Sequence, residues 1–230
     1  MITARDTDKL IEQLAQIREP VRPLWRPWIR TGIWLALAVP YIAGVVVLMS
    51  PRADLAAKLG DARFLIEQIA ALLTGITAAA AALATTIPGF DRRIVLFPLL
   101  PLALWLASLG QGCLESWIEF GRGGLSLRPD WVCFPAIALV GAGPAIVMAV
   151  MLQRGAPLTP RLSAALGGLA AAGLGNFGLR FFHSQDASLM VLVWQFGAVV
   201  MLSAIAALLG RYLLSWRSLV GVTKRGASIW

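Results

Sequence analysis

Charged residues are scarce in this chain. They make up 14% of its 230 residues, whereas a typical soluble domain carries about 25%. Apolar residues make up 58%. A soluble protein of this composition would leave much apolar surface in contact with water, so the class of soluble globular domains is excluded. We predict an all-α, polytopic membrane protein.

Cysteine and histidine are scarcer still. The chain contains two cysteines, Cys113 and Cys133, and a single histidine, His183. The spacing of these three residues matches no standard zinc signature. The sequence holds no HExxH motif, no phosphate-binding loop and no nucleophile paired with a base. Enzymatic catalysis has no support in individual residues, and we expect the protein not to be an enzyme.

Long apolar runs, in contrast, are abundant. A helix needs about 20 mainly apolar residues to cross the hydrocarbon core of a bilayer. We predict six such helices, at 31–49, 64–87, 94–109, 132–152, 162–182 and 189–209, the last continuing toward Trp216. Prolines and glycines fall between the runs, where helices are expected to end. The chain therefore divides into an N-terminal segment at 1–30, a six-helix domain at 31–216 and a tail at 217–230.

The lysines and arginines are unequally distributed across these spans. Assigning successive connections to alternate sides places fourteen of them on the side of both termini and six on the other side. By the positive-inside rule, both termini are expected to be cytoplasmic. Topology and attraction to anionic membrane lipids explain the net charge of +8 without a nucleic-acid partner. Because about thirty mixed residues precede the first apolar run, we expect the N-terminus to be retained.

The N-terminal segment has the pattern of a short amphipathic helix. Its apolar residues share one helical face, and they are Leu10, Ile11, Leu14, Ile17 and Val21. A helix this short needs a surface to pack against. The headgroup layer, the cytoplasmic side of the protein itself and a groove on a partner are all open interpretations. The arginines and tryptophans at 18–30 are typical of interfacial anchoring.

The two cysteines border the connection between the third and fourth spans. Cys113 is expected just past the exterior end of the third span and Cys133 at the start of the fourth. Consecutive antiparallel helices are usually neighbours, so a structural disulfide is one interpretation. The other is a site for Cu(I) or Zn, completed by His183 and a carboxylate such as Glu115.

Two further features lie within the predicted spans. Glu67 is the one acid there, and Arg63 lies one helical turn earlier, so an ion pair near the exterior end is predicted. Small residues fill GAGPA at 141–145 and GGLAAAGLGNFG at 167–178. These stretches predict close helix packing.

Several segments together resemble the NrsF family of bacterial inner-membrane anti-sigma factors. The segments are DKLIEQLAQIREPVRPL, LFPLLPLALWLASLGQGC, DWVCF and RGAPLTPRLSAALGGLAAAGLG. The resemblance implies that the N-terminal segment sequesters an extracytoplasmic-function (ECF) sigma factor of the F type. It also implies that exterior cysteines, here Cys113 and Cys133, take part in sensing heavy-metal or redox stress. The residues expected to bind the sigma factor are Leu10, Ile11, Leu14, Ile17, Arg18, Val21 and Arg22.

A small transporter or exporter and a membrane scaffold are the alternative functions. A transporter needs a polar path through the spans. The sequence offers little for such a path beyond Glu67, Asn176 and a few hydroxyl groups.

Overall fold

The computed structural model describes residues 8–9, 11–13, 24–121, 133–155, 157–183, 193 and 196–214. The regular elements of these residues are all helical, which confirms the predicted fold class in this part of the chain. The α-helices are α1 (Pro27–Leu48), α2 (Leu55–Lys58), α3 (Ala62–Ala84), α4 (Leu99–Phe120), α5 (Cys133–Gln153), α6 (Pro160–Leu179) and α7 (Gly197–Leu213), and a 3-10 helix at Arg92–Leu96 precedes α4. Residues 8–9 and 11–13 are also helical.

Five of these helical segments are long and apolar enough to cross a membrane. They are α1, α3, α5, α6 and the stretch from the 3-10 helix through α4. The apolar helix α7 is shorter in the described part of the chain. Residues 184–192, 194 and 195, where the predicted sixth span begins, lie outside the described residues. The count of six spans therefore stays a prediction.

The third span is longer than predicted. We expected it to end at residue 109, but α4 continues to Phe120. Cys113 therefore lies inside the helix, and its expected position just past the helix end is wrong. Gly110 lies where we expected the helix to end, yet it is helical, as is Gly112. The apolar side chains of Leu114, Trp117 and Ile118 are exposed and continue a surface suited to lipid, and Gly112 lies at a helix contact described below.

Helix α6 lies at the centre of the bundle and packs against α3, α5, α7 and α1. Its contact with α3 is made by backbone atoms. A Cβ atom added to Gly173 would lie 3.1 Å from the Gly75 nitrogen and 3.2 Å from the Ala71 oxygen. On the side of α5, a Cβ at Gly175 would lie 3.0 Å from the Ile137 oxygen. The prediction that the small residues of 167–178 permit close packing is confirmed.

Helix α1 crosses the bundle beside α5 and is joined to it by three hydrogen bonds, one of which comes from Arg30 and is described below. Trp34 Nε1 donates to the Pro144 carbonyl oxygen at 2.9 Å, and the Tyr41 hydroxyl donates to the Leu139 carbonyl oxygen at 2.8 Å. Gly143 makes room for the Tyr41 ring, because a Cβ there would lie 2.6 Å from a ring carbon. These contacts fix α1 against the outer face of α5.

Helix α4 packs on α3, on the side away from α5. Trp105 and Leu109 of α4 join a buried cluster with Ala70 and Ala71 of α3. Within the described residues, α5 packs mainly on α6 and α1. In the part of the chain that the structure describes, the third and fourth spans are therefore not packed side by side, although we expected consecutive antiparallel helices to be neighbours. The backbone contact between α3 and α6 explains this order, because it places α6 beside α3.

We expect Gly173→Leu to destabilise the bundle by about 1–3 kcal/mol, because the new side chain meets the backbone of α3 and forces the helices apart. Thermal unfolding of the detergent-solubilised protein, followed by tryptophan fluorescence, measures this change. Gly44→Leu is the matched control, since a Cβ at Gly44 meets nothing within 4 Å. Equal melting temperatures for the two variants would contradict the assignment of the α3–α6 contact.

Candidate functional site

The helices alternate in direction, and the two ends of the bundle carry different charge. One end holds the first residues of α1 and α6 and the last residues of α3, α5 and α7, and we call it the arginine end. The opposite end holds Cys113 and the start of α5, and we call it the cysteine end. Between residues 24 and 214, the described part of the arginine end carries one acid, Asp91, and seven basic residues: Arg26, Arg30, Arg92, Arg93, Arg154, Arg161 and Arg211.

The described part of the cysteine end has nearly balanced charge. Its basic residues are Arg52, Lys58, Arg63 and Arg180, and its acidic residues are Asp54, Asp61, Glu67, Glu115 and Glu119. The asymmetry between the two ends follows the distribution of lysine and arginine in the sequence.

A chain of ion pairs links three helices at the cysteine end. Arg180 Nη2 lies 3.3 Å from Glu67 Oε2, and Arg63 Nε lies 3.3 Å from Glu67 Oε1. Arg63 Nη1 lies 2.8 Å from Glu115 Oε2. Gln111 Nε2 donates to the other Glu115 oxygen at 2.9 Å. The Arg180–Glu67–Arg63–Glu115 network therefore joins α6 to α3 and α3 to α4.

The Arg180–Glu67 pair of this network is buried, whereas Glu115 at the other end of the network is exposed to solvent. Glu67 is 6% exposed and Arg180 is 8% exposed, whereas the Glu115 side chain is 52% exposed. The Arg180 guanidinium also lies 5.4 Å from the centre of the Phe64 ring. Removing one member of a buried ion pair leaves an uncompensated charge, so Glu67 and Arg180 each depend on the other at this interface.

The predicted pair of Glu67 with Arg63 is confirmed, and the partnership with Arg180 was missed. The sequence carried only part of the signal for this partnership. Arg180 ends the fifth span and Glu67 begins the second, so both lie near the same end of the bundle. Nothing in the sequence shows that these two helices are neighbours, and only the packing of Gly75 against Gly173 makes them so.

Cys113 lies directly beside this network in sequence. The preceding residue, Gly112, faces Arg63, and a Cβ atom at Gly112 would overlap the Arg63 guanidinium. A larger residue at position 112 would displace the Arg63 guanidinium from the position in which it contacts Glu115. Cys113 is half-buried, and its thiol forms no disulfide with any side chain that the structure describes.

Cys133 is the first residue of α5, as predicted, but its side chain lies outside the described residues. Whether the two thiols meet stays a prediction. Among the residues that the structure describes, no group of three or more Cys, His, Asp or Glu is placed to hold a metal ion.

His183 follows α6 at the cysteine end, where an arginine from the first connection reaches it. Arg52 Nη1 donates to the His183 carbonyl oxygen at 3.4 Å, and the Arg52 backbone nitrogen donates to the Phe181 oxygen at 2.9 Å. Arg52 Nε and Nη2 donate to the Asp54 carboxylate at 2.6 and 2.8 Å. This hydrogen bonding lowers the pKa of Asp54 to about 2, so the contact persists until the pH falls through that value.

Arg30, at the arginine end, is buried and bridges three helices. Its Nη1 donates to Thr86 Oγ1 at 2.8 Å, just past α3, and its Nη2 donates to the Met151 carbonyl oxygen of α5 at 2.6 Å. We expected Arg30 to be an interfacial anchor, and for this residue the expectation is wrong, because its side chain turns inward to these oxygens. Trp25 and Trp28 are exposed, as an interfacial anchor should be.

Of the residues predicted to bind the sigma factor, the structure describes one, Ile11. Ile11 has helical backbone and is 59% exposed. The other predicted residues, Leu10, Leu14, Ile17, Arg18, Val21 and Arg22, lie outside the described residues.

We expect Glu67→Gln to destabilise the protein by about 3 kcal/mol, because it leaves the buried Arg180 without its carboxylate. Glu119→Gln is the matched control, since Glu119 is an exposed glutamate at the same end. Glu115→Gln removes an exposed ion pair and should lower the free energy of unfolding by less than about 1 kcal/mol. Thermal unfolding of the three variants measures the difference, and equal losses would contradict a buried role for Glu67.

A family model described as NrsF, negative regulator of sigma F, matches residues 14–216, which include every helix from α1 to α7. No curated protein and no solved structure matches the chain. The matched family consists of regulators rather than enzymes, and its description implies a sigma factor as partner. The match covers most of the chain, so this protein belongs to the NrsF family of negative regulators of sigma F.

Proposed function

We propose that this protein is an anti-sigma factor of the bacterial inner membrane that sequesters an ECF sigma factor through its N-terminal segment. The family match over residues 14–216 carries the proposal. The helical backbone at residues 11–13 and the exposure of Ile11 agree with a helix that offers an apolar face. An amphipathic helix of this kind binds by laying its apolar face into a groove on its partner.

The charge of the two ends supports a cytoplasmic position for that segment. The arginine end, with seven arginines and one aspartate between residues 24 and 214, is the end where α1 begins and α7 ends. Positive charge is retained on the cytoplasmic side of membrane proteins. The N-terminal segment then projects into the compartment where sigma factors act.

A transporter gains no comparable support. A groove between α1, α3 and α6 is lined by Val39, Ile42, Leu72, Phe177 and similar apolar residues. A second groove, between α5, α6 and α7, is also lined by apolar and small residues. Neither groove offers the polar path that transport of a solute requires.

We expect Leu10→Asp combined with Leu14→Asp to release sigma-dependent transcription, because two buried carboxylates would oppose docking of the apolar face. A reporter gene driven by a sigma-dependent promoter measures the release. Gln16→Asp is the matched control, since the helical pattern places residue 16 on the opposite face. Unchanged repression by the double variant at normal membrane levels would refute the docking face.

The proposed signal is heavy-metal or redox stress sensed at Cys113 and Cys133. The position of Cys113 supports this, because the adjacent Gly112 packs on Arg63, which holds α4 to α3. A change at the thiol would shift this contact, and Glu67 and Arg180 connect it to α6. The signal requires two states with different affinity for the sigma factor, and a coupling of about 1–3 kcal/mol is ordinary for allostery.

Two chemistries fit this proposal. In one, an applied oxidant takes two electrons from the two thiols, which release two protons and form a disulfide. In the other, the thiolates bind Cu(I) or Zn together with His183 and Glu115. The described residues Cys113, Glu115 and His183 are not grouped as metal ligands in this structure, so metal binding would require them to move together. Glu115 already pairs with Arg63 at 2.8 Å, so metal binding by this carboxylate would break the link between α4 and α3.

We expect Cys113→Ser and Cys133→Ser each to hold the protein in one signalling state, because neither chemistry proceeds with one thiol. Reporter transcription before and after treatment with oxidant or metal measures the response, and a free-thiol count on the purified protein separates oxidation from ligation. A normal response in both variants would make the thiols structural and leave the sigma-binding proposal unaffected.

A further inference from the structure

A groove of about 660 Å³ lies between α1 and α5 at the arginine end. Its apolar walls include Ile33 and Leu37 of α1 and Ile146 and Val150 of α5. Two arginines, Arg30 and Arg154, line its polar end. The groove therefore combines an apolar channel with a cationic mouth.

The dimensions of the groove match one leaflet of a bilayer. Leu37 lies seven residues after Arg30, a rise of about 10 Å along a helix. Ile146 lies eight residues before Arg154, a rise of about 12 Å. Half of the hydrocarbon core is about 15 Å thick. The apolar walls thus extend from headgroup level deep into the leaflet.

The charge at the mouth is not neutralised by protein groups in the described part of the chain. Arg30 donates to Thr86 Oγ1 and to the Met151 oxygen, which are both neutral and account for two of its five N–H donors. Arg154 is exposed, and no described residue pairs with its guanidinium. The acid of this end, Asp91, accepts a hydrogen bond from the Arg93 backbone nitrogen. A buried guanidinium is stabilised by an anion, so the mouth is complementary to negative charge.

We propose that this groove binds an anionic phospholipid. The phosphate accepts hydrogen bonds from Arg154 at the rim and from Arg30 at the floor, since planar guanidinium groups match phosphate geometry. One acyl chain lies along Ile33, Leu37, Ile146 and Val150. The site is independent of sigma-factor binding and of the cysteines, and it depends only on the position of the bundle in a membrane.

A lipid fits this groove better than a protein segment does. A peptide at the depth of Leu37 would carry backbone N–H and C=O groups into hydrocarbon, where each unsatisfied group is costly. An acyl chain carries no such groups. The groove between α1, α3 and α6 offers a useful contrast, because its lining is apolar throughout and gives no basis for selecting a headgroup.

The test uses the full-length protein in neutral detergent, titrated with phosphatidylglycerol or with phosphatidylcholine of the same acyl chains. Native mass spectrometry counts the bound lipid, and the melting temperature reports its effect. We expect phosphatidylglycerol to bind and raise the melting temperature, and phosphatidylcholine to bind at least tenfold more weakly. Inorganic phosphate alone should have no effect at the same concentration. Equal binding of the two lipids would overturn the proposal.

Variants of the mouth and of the channel identify the site. Arg30→Gln also removes two hydrogen bonds within the bundle, so Arg154→Gln is the informative change. It should weaken the binding of phosphatidylglycerol about fivefold. Arg161→Gln is the matched control, because this arginine starts α6 at the same end and does not line the groove. Ile146→Trp fills the channel without changing charge and should also reduce binding. Equal effects of Arg154→Gln and Arg161→Gln, or no effect of Ile146→Trp, would refute the site.

The occupant itself can be identified by a photoreactive amino acid at Val150, one turn from Arg154. Irradiation in membranes containing phosphatidylglycerol should yield an adduct with the mass of that lipid. A cross-link to residues 1–23 or to a second copy of the chain would show that protein fills the groove and would overturn the proposal.

Discussion

The backbone contact of Gly173 with Gly75 is the constraint on which the other helix positions depend. In a bilayer the lipid chains are as apolar as the side chains, so helices associate through close packing rather than through the hydrophobic effect. Small residues let α6 approach α3 on one side and α5 on another, and Gly168 faces α7 in the same way. Because α6 occupies the centre, α4 is left to pack on the outside of α3. The separation of the third and fourth spans is a consequence of this order.

One buried arginine stabilises this arrangement at each end of the bundle, and the two arginines have different kinds of partner. At the cysteine end, Arg180 meets the carboxylate of Glu67, and the pair ties the end of α6 to the first turns of α3. At the arginine end, Arg30 meets neutral oxygens next to α3 and on α5. The first arrangement neutralises the charge within the protein. The second leaves positive charge next to a lipid-facing groove, which is why we assign an anionic lipid to it.

The proposed regulation needs a physical connection between the two ends. Cys113 lies beside the residue that packs on Arg63, and Arg63 shares Glu67 with Arg180 of the central helix. Helix α6 contacts α1 as well as α3, α5 and α7, and α1 follows directly on the N-terminal segment. A displacement of α4 therefore has a route of packed side chains to the segment proposed to hold the sigma factor. Such a route becomes a switch only if two discrete arrangements of it exist.

The sequence by itself determined the helical class, the approximate positions of the spans and the unequal charge of the two ends. These properties depend on local hydropathy and on counts of arginine and lysine, which do not require knowledge of neighbours. The ion pair of Glu67 with Arg63 was also predictable, since it joins residues one turn apart. Its second partner, Arg180, was not, because the pair joins residues 113 positions apart in the chain. Tertiary structure alone decided that Arg30 turns inward, that Gly112 continues a helix instead of ending it, and that α4 and α5 are separated. Each of these outcomes depends on which helix lies next to which, and that order follows from backbone contacts between glycines distant in sequence.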